Sequence, residues 1–366
     1  MRPLHIGKTT IDPSGLGLAL LLGALGGSAA QAMHLPLGML LGSLVVVGAV
    51  SILGWRPMGV TPAMPEPLRF FFVPVIGVSI GGAFTPQLMR DALLWWPSLL
   101  ALALYLPLAL GVGYLIYHRL GGIPKVTAFF GAVPGGLIET VVLGESAGAD
   151  ARMLTLLQFL RLILCIVLVP IGFTIATGHA VGSAAGVEMT GASVPITLPD
   201  TAIMLACGVA GYVIGKRLRF PAAIMTGPLF LSALAHLAGL TEAVPPGWAL
   251  LLTQLVVGTS LGARFVGLPR SVLGRALGLA IVNAAVSLAL AMGFALALAP
   301  VVAEPLAAVF LAFAPGGVAE MSLVALSLQL SVVYVSLHHV ARIVLSVTVA
   351  QLLARRVTTP GGGDRR

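Results

Sequence analysis

The side chains of this chain that could do chemistry are few, and they recur in pairs. Two Pro-Gly-Gly triplets, Pro134-Gly135-Gly136 and Pro315-Gly316-Gly317, interrupt apolar segments near 124–145 and 305–328. Proline lacks a backbone donor and glycine weakens a helix, so each triplet breaks its helix part-way along. Glu139 and Glu320 each follow three residues beyond the second glycine. A carboxylate there can cap the first turn of the new helix, and it can equally carry a proton or cation beside a substrate. Arg161 and Arg342 lie about nine and about eleven residues into apolar runs, too deep for comfortable snorkelling at ~1.5 Å per residue. A charge at that depth is normally paired inside the bundle. The glutamates are the natural partners, as structural locks or as groups flanking a substrate. His338 and His339 begin the inward turn of the last apolar run, 331–354. They point ~100° apart on a helix, so at most one faces a pathway, as a pH-sensitive group or as a packing histidine.

Composition says what kind of element must position these groups. Of 366 residues, 58% are hydrophobic and only 9% charged, with mean hydropathy +1.06. A soluble domain carries roughly 25% charged residues, so this chain cannot cover a water-facing globule. The 45 glycines and 25 prolines suit broken membrane helices. A net charge of +8 raises the question of nucleic acid, but the basic residues are scattered and read as topology signals. Cys165 and Cys207 both sit in apolar runs, so neither a disulfide framework nor a cysteine metal site is implied.

Ten segments are long and apolar enough to span a bilayer: 15–33, 37–54, 68–84, 92–117, 152–177, 199–215, 221–240, 247–263, 273–299 and 331–354. The first, preceded by Arg2 and Lys8, has the look of a signal peptide, but the repeat needs it as a permanent helix. A constant offset of 181 residues relates Gly135 to Gly316, Glu139 to Glu320 and Arg161 to Arg342. The same offset relates Gly77-Val-Ser79-Ile-Gly81 to Gly258-Thr-Ser260-Leu-Gly262. These G-x-S-x-G stripes read first as close helix packing. Nearer the N-terminus, Pro36 and Gly42 match Pro221 and Gly227 at an offset of 185. The chain therefore reads as a duplication, 1–180 and 181–366.

If each Pro-Gly-Gly segment is a re-entrant hairpin, each half holds five spans and the second half is inverted. With both termini cytoplasmic, 17 of the 20 basic residues then fall inside, as the positive-inside rule asks. The expected fold is an all-α polytopic membrane protein of two inverted five-helix repeats, each with a broken hairpin. That is a transporter arrangement. Irregular backbone at membrane depth is tolerated where it is buried in protein or lines a wet cavity. Two helix N-termini converging at the midplane would attract an anion.

The segments FFGAVPGGLIETVVLGESAGAD and FLAFAPGGVAEMSLVALSLQLS, flanked by QFLR and HHVAR, resemble the AbrB-type membrane protein family and its duplication. The resemblance covers essentially the whole chain. It implies the labels its members carry, a regulator of gene expression or an ammonia monooxygenase. The residues argue against both taken literally. A copper or iron oxygenase needs converging ligands, and the seven histidines are dispersed apart from one adjacent pair. A transcription factor needs a soluble DNA-reading element, and the longest hydrophilic stretch, 178–199, is small and almost uncharged.

The expectation is thus an inner-membrane secondary transporter of a small, anionic solute. The alternative is a membrane sensor that affects gene expression indirectly. Candidate solute-binding residues are Pro134, Gly135, Gly136, Glu139 and Arg161 with Pro315, Gly316, Gly317, Glu320 and Arg342. The candidates for proton coupling are His338, His339, Glu139 and Glu320. Expected partners are the lipid bilayer, a solute, a coupling ion (proton or sodium) and, as an open option, a second copy of the chain. Nucleic acid, cofactor and metal are not expected.

Overall fold

The computed structural model describes residues 4–6, 9–35, 37–178, 195–267 and 270–358. Pro36, most of the hydrophilic 178–199 stretch, and the terminal basic residues Arg2, Lys8, Arg365 and Arg366 lie outside them. A three-residue antiparallel pair, β1 (Leu4–Ile6) with β2 (Thr9–Ile11), precedes the helices, a small departure from the all-helical expectation. The first half then runs α1 (Pro13–Ala32), α2 (Gly38–Leu53), α3 (Glu66–Gly81), α4 (Pro86–Ala92), α5 (Trp96–Leu115), α6 (Lys125–Ala132), α7 (Leu137–Ser146) and α8 (Ala151–Thr177). The second half runs α9 (Leu198–Arg217), α10 (Ala223–Leu237), α11 (Gly247–Ala263), α12 (Arg270–Leu298), α13 (Leu306–Phe313), α14 (Val318–Ser327) and α15 (Val332–Thr358).

Local chemistry sets the ends. Asp12 caps α1, its carboxylate accepting from the Ser14 amide (3.1 Å), with Pro13 pre-set for the first turn. Thr197 and Asp200 form a reciprocal capping box on α9. Both broken segments start alike, at Pro124 (φ −52°, ψ 142°) and Pro305 (φ −55°, ψ 141°).

Among the described residues, six helical runs are long and apolar enough to cross a membrane: Pro13–Ala32, Pro86–Leu120, Ala151–Ala176, Leu198–Arg217, Val272–Leu298 and Val332–Ala354. These are the helices of a multi-pass membrane protein. The other four expected spans are helical but shorter, Gly38–Leu53, Pro67–Gly81, Ala223–Leu237 and Gly247–Ala263. At 1.5 Å per residue they reach only about 22–26 Å, short of a ~30 Å hydrocarbon core. Backbone punctuation bounds them: α2 stops at Gly54 (φ +64°), α3 starts after Pro65, and α10 follows the left-handed Ala222.

The chain folds into two compact units, each drawing on both halves of the sequence. The first comprises Met1–Leu93, Ile166–Arg270 and Val318–Ser336. Within it, α1 packs on α2 and α9 on α10. At the α1–α2 contact, a Cβ on Gly26 would lie 2.5 Å from the Gly42 carbonyl oxygen. At α9–α10, a Cβ on Gly211 would lie 2.7 Å from the Gly227 carbonyl oxygen. These backbones touch because no side chain intervenes. The third helices are exchanged: α3 packs on α10, and α11 packs on α2. Gly77 meets the Met225 backbone and Gly258 the Leu40 backbone in corresponding fashion. Buried Ser79 spends its hydroxyl on the Val75 carbonyl of its own helix (2.9 Å). The G-x-S-x-G stripes are packing surfaces.

The second unit comprises Leu94–Cys165, Ser271–Gly317 and Leu337–Arg366. It contains α6, α7 and α13, with α5, α12 and parts of α8 and α15. Its centre is aromatic: Tyr105 meets Phe294 and Phe313 edge-on, both at 5.4 Å, and Phe294 stacks on Phe313.

Candidate functional site

Both Pro-Gly-Gly breaks belong to the second unit. Each stops a helix abruptly. The residue after α6, Val133, has φ −55° and ψ 121°, and the residue after α13, Ala314, has φ −57° and ψ 133°. An extended residue there strands the last carbonyls of the helix, which must find other donors.

The deep arginines are those donors. Arg161 reaches from α8 and gives Nη1 to the Ala132 carbonyl (3.1 Å) and Nη2 to the Val133 carbonyl (2.8 Å). The same Nη2 donates to Gln158 Oε1 (2.8 Å), and Gln158 Nε2 donates to the Phe130 and Val133 carbonyls (2.7 and 3.2 Å). Arg342 on α15 repeats the device. It donates to the carbonyls of Ala314 and Gly316 and to His339 Nδ1 (2.8 Å). An arginine only donates, so His339 Nδ1 accepts. Its Nε2–H then donates to the Leu311 carbonyl (2.9 Å). This fixes a neutral His339 ring.

The sequence made the glutamates the natural partners of these arginines, and the structure corrects that. The guanidinium groups cap the C-terminal ends of α6 and α13, where the partial negative charge of the helix gathers. Backbone carbonyls are invisible in a sequence, so the most effective acceptors could not be read there. Arg161 and Arg342 are both buried, 6% and 2% exposed.

Past the first break the chain reverses. Gly136 takes φ +64°, a conformation that disfavours any Cβ. Thr140 Oγ1 returns to the Gly135 carbonyl (3.1 Å), and the Thr140 amide to the Gly136 carbonyl (2.8 Å). The α6–α7 pair closes as a helical hairpin: the Asp150 amide after α7 donates to Thr127 Oγ1 near the start of α6 (2.9 Å). Gly316 and Gly317 are not among the positive-φ glycines, so the breaks are alike in capping but not in backbone handedness.

One helix serves both breaks. Arg342 on α15 holds the second break, and one turn later Ser346 Oγ donates to the Pro134 carbonyl of the first (3.4 Å). Ile343 and Val347 lie against Gly136. Glu139 is exposed, in the first turn of α7, its Oε2 3.3 Å from where a Gly136 Cβ would sit. Glu320 is buried, 4% exposed, in the first turn of α14, which falls in the first unit. His338 is buried with Nε2 2.8 Å from Ser98 Oγ, itself bonded to the Trp95 carbonyl.

The second unit thus gathers both breaks, both arginines, both histidines and Glu139. Gln158, Thr140, Ser346 and Tyr105 are contributors that the sequence reading did not nominate. Gln158 had a usable signal, since it stands 181 residues before His339; Tyr105 had none. Among the described residues, no three of His, Cys, Asp or Glu converge to hold a metal ion.

Against known families, the model described as "Transition state regulatory protein AbrB" matches residues 56–358. Among curated proteins, the chain is 26% identical over 250 residues to "Putative regulator AbrB" of Escherichia coli (strain K12), covering 67% of this chain and 68% of that one. It is 22% identical over 348 residues to "Uncharacterized protein YhjN" of Bacillus subtilis (strain 168), covering 90% and 89%.

Proposed function

This chain belongs to the AbrB family, and from that premise we propose that it is a secondary transporter of a small solute, which binds where the two helix breaks lie. The supporting observation is the double clamp. Two helices end in mid-run, and each end is held by a buried arginine and its helper, Gln158 or His339. Interrupted helices at membrane depth are the usual binding elements of transporters.

In this reading the α6–α7 and α13–α14 pairs are re-entrant hairpins of two inverted repeats, 1–180 and 181–366. The candidate residues are Pro134, Gly135, Gly136, Glu139, Arg161, Pro315, Gly316, Gly317, Glu320 and Arg342. Glu139, Glu320, His338 and His339 are the candidates for ion coupling, with proton or sodium. The protein sits in the inner membrane with both termini cytoplasmic. This topology predicts that a cysteine at Ala149 is protected from a membrane-impermeant maleimide on intact cells, while one at Gln329 is labelled. The reverse pattern removes the inverted repeat.

Flux is the decisive measurement. Proteoliposomes carrying the full chain are challenged with labelled small carboxylates, amino acids and ammonium. At least one solute should cross. Gly136→Ala should slow it tenfold or more at equal folded protein, because a Cβ at φ +64° is strained and meets Val347 at 3.1 Å. The name regulator carried by the Escherichia coli relative supports the second reading, a membrane sensor, and binding without flux would favour it.

A further inference from the structure

The second unit holds buried positive charge that no buried carboxylate answers. Glu139, Glu145 and Asp150 are exposed and Glu304 is half-buried; these are the carboxylates among its described residues. Arg161 and Arg342 are both deep inside. The helix ends they cap supply roughly half a negative charge each, which leaves about one positive charge uncompensated among this unit's described residues. At membrane depth that is a costly state unless something anionic completes it.

Among this unit's described residues, two buried donors lack a protein acceptor. Arg342 commits both Nη groups to the second break, yet its Nε is buried without a partner. The Tyr105 hydroxyl, fully buried, is likewise without one. Tyr105 packs edge-on against Phe313, whose neighbour Ala314 accepts from Arg342. Burying an unpaired donor destabilises a fold, so their presence together needs a reason.

We propose that this interior binds a small monovalent anion of the monocarboxylate class, with Arg342 Nε and the Tyr105 hydroxyl as its hydrogen-bond donors. The inference rests on the transporter reading for its setting and adds the substrate class. A carboxylate has two oxygens, one for each free donor, and its single charge matches the one left over. A dicarboxylate brings a second charge that nothing there neutralises, and a neutral amide brings an N–H₂ group against donors.

The test uses full-length protein in nanodiscs, with thermal unfolding followed at constant ionic strength. Acetate, pyruvate and lactate are compared with chloride, succinate and lactamide. At least one monocarboxylate should raise the unfolding midpoint above that in chloride, and lactamide should not. Tyr105→Phe removes only an unpartnered hydroxyl, so the unliganded variant should fold and melt as the wild type does, or higher. Its Kd for the active monocarboxylate should rise about tenfold or more. The proposal falls if no monocarboxylate stabilises the protein, if chloride, lactamide or succinate does so equally, or if Tyr105→Phe keeps the wild-type Kd. Binding without flux in proteoliposomes would sink transport and leave the anion site standing. Flux of a neutral or cationic solute without anion binding would do the reverse.

Discussion

Replacing Arg342 with methionine should strip most of the folded protein from the membrane fraction. The substitution orphans the carbonyls of Ala314 and Gly316 and the Nδ1 of His339 in a buried setting. At about 1–3 kcal/mol for each of the three unsatisfied groups, the loss is about 3–9 kcal/mol, a large share of any domain's stability. Arg161→Met should act in the same direction, because it orphans the Ala132 carbonyl and Gln158 Oε1 and leaves the Val133 carbonyl only its bond from Gln158. The informative companion is His339→Gln. Gln158 already performs this role at the first break, accepting from its arginine while donating to helix-end carbonyls. Glutamine at 339 should therefore keep the clamp and stay within about 1 kcal/mol of wild type, whereas His339→Leu should approach the arginine variants. Size-exclusion yield and the unfolding midpoint in detergent report the order. A midpoint for Arg342→Met equal to wild type would remove the clamp from this account.

Gly42→Ala and Gly227→Ala should each cost about 3 kcal/mol, and by similar amounts. A new Cβ at Gly42 would collide with the Gly26 carbonyl, and one at Gly227 with the Gly211 carbonyl. Backbone cannot swing aside as a flexible side chain can. Gly278→Ala on α12 is the control, since nothing lies within 4 Å of its added methyl group; it should be neutral or gain up to about 1 kcal/mol in helix propensity. Unequal losses at 42 and 227 would show that the two contacts are not the same device.

Much of this was legible in the sequence because membrane burial leaves coarse marks. Ten apolar segments, two Pro-Gly-Gly interruptions and two arginines far from any segment end are visible without coordinates, and each apolar segment is helical. The stripes around Ser79 and Ser260 were readable as packing because glycine spacing has few other uses inside a bilayer. What escaped reading was whatever depends on backbone groups or on distant partners. Carbonyls carry no letter, so Arg161 and Arg342 were matched to the carboxylates that do. Helix length was overread most at α10, expected over 221–240 and found at Ala223–Leu237, because hydropathy runs on through Ala222, whose dihedral angles have already turned. Tyr105 is one aromatic residue in an apolar run, and only the absence of an acceptor distinguishes it.

The exchange of third helices bears on how such a chain can be made. The partner of α3 in the first unit is α10, which begins at Ala223, some 140 residues after α3 ends at Gly81. At 5–20 residues per second a ribosome takes about 10–30 s to cover that distance. For that interval α3 waits in the nascent protein with its glycine face open to lipid, while α1 and α2 can already have joined. Assembly is therefore post-translational in logic even where insertion is not: the first half cannot finish until the second has arrived. A chain truncated at the midpoint keeps α1 on α2 but lacks α10, the partner of α3, and α11, the second partner of α2. The two halves are bound together by folding, independently of anything they do together at the helix breaks.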